Sequence, residues 1–308
     1  MNKKEFRTLD EQISILTNKG LIIEDEEMTK DILLRENYFF INGYRNLFYD
    51  KNRKFIKGTK FSELYSAFLF DRNLRNILFK YLLVVENNVK SIISYQLSKK
   101  YGYMERDYLN PKNFTQDIKE SRRVEDVLNK IKRQIRINGE KHTATFHYIT
   151  KYHYVPLWIL VKVLSFGLIN ELYGILKEED KDEIANIYNM NSEDFKVYLQ
   201  LLSNYRNLCA HEDIVFEHRT QTFINDTEYH SKLNLRQNEF GEYIQGKNDL
   251  FAVIIMLKCL LQKDRFNECM IEIDTILNRF DNNVDIIKND KLLNKMGFPM
   301  NYMDIINM

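Results

Sequence analysis

Residues Phe61–Tyr101 read FSELYSAFLFDRNLRNILFKYLLVVENNVKSIISYQLSKKY. Apolar side chains return at steps of three and four, through Leu64, Tyr65, Phe68, Leu74, Ile77, Leu78, Tyr81, Leu82, Val85, Val89, Ile92 and Ile93. That is the spacing by which a helix lays one stripe on a core. Gly58 and Thr59 offer a start and Gly102 a stop. At 1.5 Å per residue the helix would be roughly 60 Å long, beyond most globular helices, so a kink or break is predicted near Asp71.

Working outward, the remaining composition agrees with a helical architecture. Only 3 prolines and 10 glycines punctuate 308 residues, as in long helices joined by short turns. The predicted class is all-α. Forty-five basic and 44 acidic residues leave a formal charge of +1, so any nucleic-acid surface must be a local patch. Three cysteines, Cys209, Cys259 and Cys269, suit neither a disulfide framework nor a zinc site, which fits a reducing cytoplasm. The opening MNKKEFRTLDEQ is charged and has no apolar run, so it does not read as a secretory leader. The most membrane-like run, VPLWILVKVLSFGLI at Val155–Ile169, contains Lys162 and falls short of the roughly 20 apolar residues of a span. It is read as a buried bundle helix opened by Pro156, with Trp158 in the core.

The N-terminal segment, Thr8 to Asn46, reads as short amphipathic helices with turns at Asn18–Gly20 and Asn42–Gly43. Residues 103–145 form a polar, charged helical excursion. Between Lys119 and His142 eight Lys/Arg face four Asp/Glu, a local excess of 8 − 4 = +4. Arg122, Arg123, Lys130, Lys132, Arg133 and Arg136 are therefore the candidate RNA-binding residues; the alternative is a solvated helix face, because no periodic aromatic series accompanies them. The chain divides into a helical domain over 1–247 and a C-terminal helical extension over 248–308 packed on the bundle. That extension reads as two helices, DLFAVIIMLKCLLQ and RFNECMIEIDTILNRF, before a partly ordered end containing MGFPMNY.

Chemistry concentrates in YRNLCAHEDIVF, Tyr205–Phe216. At about 100° per residue the core stripe runs through Tyr198, Leu201, Leu202, Tyr205, Leu208 and Cys209, leaving Asn207 and His211 on a face roughly opposite and Arg206 to one side. Four Arg-Asn pairs occur, at Arg45, Arg72, Arg75 and Arg206, and the residues five beyond each arginine are Asp50, Ile77, Lys80 and His211. Only the last is a histidine. An imidazole and a guanidinium suffice to cut RNA, which carries its own 2′-hydroxyl nucleophile: a neutral imidazole takes that proton while a guanidinium holds the charged phosphorane. No metal or cofactor is required. The structural alternative is a partly exposed histidine on a solvated face. His142, His147 and His153 do not share a helical face and read as surface or RNA-proximal residues without a metal shell. Cys209, in the core stripe, reads as a packed thiol.

Five ordered segments carry a family likeness: FINGYRNLF at Phe40, FIKGTKFSELYSAFLFDRNLRNILFKYLLVVENNVKSII at Phe55, VPLWILVKVLSFGLI, YRNLCAHEDIVF and the terminal MGFPMNY. Through them the chain resembles the bacterial abortive-infection proteins (Abi-like, AbiD/AbiF-type) of the HEPN superfamily. The resemblance implies a HEPN-type helical bundle with flanking helices and a homodimer through the motif face. It also implies a metal-independent ribonuclease site of Arg206, Asn207 and His211, without cofactors, serving anti-phage defence. A small inhibitory non-coding RNA is an implied partner beside the RNA substrate. Lys90 departs from the family's arginine after the Glu86 position. Glu86 is either a support for Arg206 across the bundle or an ordinary boundary carboxylate. Two other readings stay open: a non-catalytic RNA-binding module, and a protein scaffold.

Overall fold

The computed structural model describes residues 5–308. In chain order its α-helices are α1 (Leu9–Asn18), α2 (Glu26–Glu36), α3 (Tyr38–Asn42), α4 (Phe61–Tyr101), α5 (Glu105–Tyr108), α6 (Ser121–Asn138), α7 (Thr143–Tyr152), α8 (Leu157–Leu160), α9 (Phe166–Gly174), α10 (Glu178–Asn186), α11 (Ser192–Ala210), α12 (Glu228–Lys232), α13 (Leu250–Leu260), α14 (Lys263–Asn283) and α15 (Asn289–Met296). The fold is all-α. Among the described residues there is no sheet; isolated β-bridges such as Ile22 with Lys60 and Phe114 with Leu176 tie loops together. None of the helices in these residues is long and apolar enough to cross a membrane.

Helix α4 is the axis. Its first turn is closed by Glu63, whose Oε2 accepts the Lys60 N–H at 2.9 Å, and Gly102 ends it at φ +96°, a conformation that favours glycine. The predicted break at Asp71 is absent: α4 runs unbroken for 41 residues. No proline or glycine lies between its ends, so nothing removes a backbone hydrogen bond. Asp71 is instead satisfied in place, as described below. Leu64, Leu74, Leu78, Leu82, Val85, Val89 and Ile93 are all sealed, each contributing about 1.5–3 kcal/mol. Tertiary packing, more than intrinsic propensity, sustains a helix of this length. α11 and α14 lie along it, and α9 packs on α11.

Three further expectations are corrected. The run Val155–Ile169 is not one helix. It forms the short α8, a 3₁₀ turn at Val161–Val163, and then α9, because the Ser165 hydroxyl accepts the Leu168 N–H at 3.2 Å and starts a new helix as its N-cap. Trp158 is not in the core but 44% exposed. The MGFPMNY end is ordered: Met296, Phe298 and Tyr302 are buried, and the Phe298 ring meets Phe251 edge-on at 5.1 Å. Gly297 makes this possible, at φ +79° with the Asp249 carboxylate where a Cβ would stand.

The C-terminal helices are stitched to the N-terminal third. Glu63 Oε1 accepts the backbone N–H groups of Asp285 and Ile286 at 2.9 and 3.0 Å, and Lys291 Nζ donates to the Leu47 carbonyl at 2.7 Å.

Candidate active site

Helix α11 begins at Asn191, whose Oδ1 accepts the Asp194 N–H at 2.8 Å, and buries Phe195, Tyr198, Leu199, Leu201, Leu202, Tyr205 and Cys209. Leu208, assigned to that stripe from sequence, is only half-buried. Cys209 is a packed thiol, pushed up to about 12 by burial, which removes it as a nucleophile at neutral pH. The helix stops at His211, whose N–H still reaches the Asn207 carbonyl at 3.0 Å. Glu212 then turns left-handed at φ +60°, and the Asp213 N–H closes on the Leu208 carbonyl at 3.2 Å.

That turn is held from α4. Asp71, fully buried, accepts the Phe216 N–H at 2.8 Å and the Val215 N–H at 3.2 Å, the Tyr44 hydroxyl at 2.8 Å and Arg75 Nη1 at 2.5 Å. Burial pushes its carboxyl upward, opposed by Arg75; every partner is a donor, so the anion is the form this cage fits. The chain beyond His211 is thereby clamped without any contact to His211 itself.

The structure brings Glu86 and Arg206 together. Arg206 Nε donates to Glu86 Oε2 at 3.3 Å, the other carboxylate oxygen accepts Lys90 Nζ at 2.7 Å, and the guanidinium lies 5.5 Å from the Phe79 ring centroid. Glu86 and Lys90 are buried, whereas the Arg206 side chain keeps 30% of its surface. Its Nη groups make no hydrogen bond among the described residues. Lys90 thus occupies a defined place: it neutralises one side of a buried carboxylate whose other side fixes Arg206.

Asn207 and His211 are exposed. His211 lies in the wall of a cavity of about 560 Å³ with Phe39, Phe40, Arg45, Leu208 and His218. Arg206 and Asn207 do not line that cavity. On an ideal helical wheel five residues place Arg206 and His211 about 140° apart, and His211 stands just past the last turn of α11. Burial, and next Arg219, lower the His218 imidazole, which favours its neutral form. His218, Arg45 and the Phe39–Phe40 pair are not among the site residues expected from sequence; a loop histidine without a periodic neighbour carries no spacing signal.

The sequence profile of a family described as Abi-like protein matches residues 31–217, more than half of the chain. The chain belongs to the Abi-like family. No curated protein and no solved structure matches it. The Abi-like segment opens within α2, takes in α4 and all of α11, and ends just past Phe216. The Glu86–Arg206 pair, the His211 turn and the Asp71 clamp therefore all lie inside the Abi-like region, whereas α13, α14 and α15 lie outside it.

The six candidate RNA-binding residues are all exposed on α6. Arg123 pairs with Glu120 at 3.0 Å and Lys130 with Glu171 at 2.6 Å; Arg122, Lys132, Arg133 and Arg136 have no ion pair among the described residues. At about 100° per residue those four fall within a wedge of roughly 100° opposite the buried Val124, Val127, Leu128 and Ile131. Glu125 falls in the wedge and Asp126 just beside it in the first half of α6, so only its second half is purely cationic. His142 caps α7 by accepting the Thr145 N–H at 3.3 Å; His147 and His153 are exposed. The described residues hold no His, Cys or carboxylate group suited to a metal ion.

Proposed function

We propose that this Abi-like protein is a HEPN-type, metal-independent RNA endonuclease acting as the effector of an abortive-infection defence. The observation that carries the reading is Arg206: it is fixed through Nε by a buried carboxylate while its Nη groups are left for a phosphate, on the same helix end as exposed Asn207 and His211. In this reaction His211 takes the proton of a ribose 2′-hydroxyl, the 2′-oxygen attacks the adjacent phosphorus, and the P–O5′ bond breaks as the 5′-oxygen takes a proton from the imidazolium so formed or from water. The products are a 2′,3′-cyclic phosphate and a 5′-hydroxyl. Arg206 holds the phosphorane charge, and Asn207 orients the imidazole or a phosphate oxygen through its amide.

Because Arg206 and His211 diverge around α11, the reading includes a homodimer in which two copies of this face meet and each supplies what the other lacks. A small structured RNA seated between the two copies of this face would hold the toxin silent.

The test is incubation of wild type and His211→Ala with total RNA in EDTA. Wild type is expected to leave cyclic-phosphate ends, with His211→Ala reduced about 10²–10⁴-fold. Equal cutting by the variant, or cutting of a 2′-deoxy substrate, would sink the mechanism. The divergence of Arg206 and His211 within one chain, together with the unpaired cations of α6, favours a second reading: an RNA-binding module that does not cut. It predicts equal RNA retention by both proteins and no new ends.

A further inference from the structure

Trp158 is the single tryptophan of the chain and sits at the surface. Its indole packs on Tyr103 with centroids 6.0 Å apart. Tyr103 continues to Tyr154 at 5.6 Å, Tyr154 to Tyr152 at 6.3 Å and to Tyr148 at 6.5 Å, and those two lie 5.3 Å apart. Five rings from the α4–α5 turn, the end of α7 and the start of α8 thus form one track. Tyr103, Tyr152 and Trp158 are each more than two-fifths exposed. None of the four phenol hydroxyls, nor the indole N–H, makes a hydrogen bond within the described residues, so their polar edges are open to a ligand.

The track adjoins positive charge. Lys151 Nζ stands 5.2 Å from the Tyr152 centroid. Glu105, whose carboxylate accepts the N–H of Val155 beside Tyr154 at 2.5 Å, also lines a cavity of about 580 Å³ whose walls carry Arg106, Lys132 and Arg136. Lys132 and Arg136 stand one turn apart in the purely cationic half of α6. None of the five rings lines that cavity; Glu105 links the two, with the rings on one side and the unpaired Lys132 and Arg136 on the other, an arrangement that suits a ligand with alternating flat apolar groups and negative charges. A duplex hides its base faces and an acidic peptide has none to offer.

We propose that Trp158, Tyr103, Tyr154 and Tyr152, with Lys132 and Arg136, form a binding site for an unpaired stretch of RNA. The bases stack on the rings and the phosphates run to the α6 cations. This rests on the reading that the protein acts on RNA, but not on His211 chemistry.

Trp158 is its own reporter. Full-length His211→Ala, in which any cutting of the probe is expected to be about 10²–10⁴-fold slower, is titrated with an adenosine- or uridine-rich RNA of about 12 nucleotides in EDTA at about 50 mM salt. Saturable quenching of tryptophan emission is expected, weakened about 5- to 150-fold by Tyr103→Leu or Tyr152→Leu, since one stacked base is worth that much. Leucine keeps the apolar bulk, so circular dichroism should not change. Lys132→Ala with Arg136→Ala should flatten the dependence of log affinity on log salt by about one to two units. The proposal is overturned by the absence of quenching, by quenching that both leucine variants leave intact, or by equal quenching from duplex RNA or polyglutamate. Should wild type cut RNA while quenching is absent, only this site falls. Should quenching occur without cutting, only the nuclease reading falls.

Discussion

Asp71 and Arg75 stand four residues apart on α4, and so, further along the same helix, do Glu86 and Lys90. Both acids reach across to α11 or the turn that follows it. Asp71 spends its remaining acceptor capacity on the backbone N–H groups of Val215 and Phe216 and on Tyr44, so its network ends inside the core. Glu86 spends its on Arg206, whose Nη groups end in solvent. Two pairs with the same spacing therefore differ in where the last donor stands. The sealed network fixes the course of the chain beyond His211; the open one presents a guanidinium.

The largest effect expected from this contrast is on stability at the sealed pair. Asp71→Ala leaves Arg75 buried without its anion and two backbone N–H groups unsatisfied, and should cost about 3–5 kcal/mol, read from urea unfolding. A midpoint within error of wild type would mean that no clamp operates. At the open pair the larger change should be in cleavage. Glu86→Gln loosens Arg206, and misplacing that group should slow RNA cutting about 100-fold with a smaller loss of about 1–3 kcal/mol of stability. If cutting is unchanged while stability falls, Glu86 is an ordinary boundary carboxylate. Arg206→Lys sharpens the point: it keeps the charge but not the fork of donors, so it should also cut slowly.

The smallest effect concerns a histidine buried where His211 is open. His230 is sealed, accepting the Thr227 N–H at one nitrogen and meeting the Gly246 carbonyl with the other. Burial lowers its affinity for a proton, partly offset by the Gly246 carbonyl. An imidazole depressed in the fold takes up its proton on unfolding, so its contribution is present above the unfolded value of roughly 6.5 and lost as pH falls below it. The melting temperature should drop between about pH 7.5 and 5.5, less steeply in His230→Gln. Equal slopes would remove this assignment.

Periodicity made α4 and most of the α11 stripe legible, because burial repeats with the helix. It misled at Asp71, where a polar residue in an apolar stripe reads as a break unless the partners from Tyr44, Val215 and Phe216 are known, and those lie far away in sequence. It misled again at Ser165, since one N-cap hydroxyl outweighs the apolar run around it. Trp158 reads as core because aromatics at helical spacing usually pack there; the run breaks into the four-residue α8 instead of one long helix, and that spacing does not hold. The pairing of Glu86 with Arg206 was available as one of two alternatives, and only the placement of α11 along α4 distinguishes them.

The stitch between Glu63 and the backbone of Asp285 and Ile286 has a consequence in time. At ribosomal rates of about 5–20 residues per second, the interval between making α4 and making its partner α14 is about 10–40 s. During that interval a long apolar flank has no cover, a window in which chaperones or a neighbouring nascent chain can engage it. The axial packing of α4 is therefore completed only after α14 has been made, well after the axial helix itself.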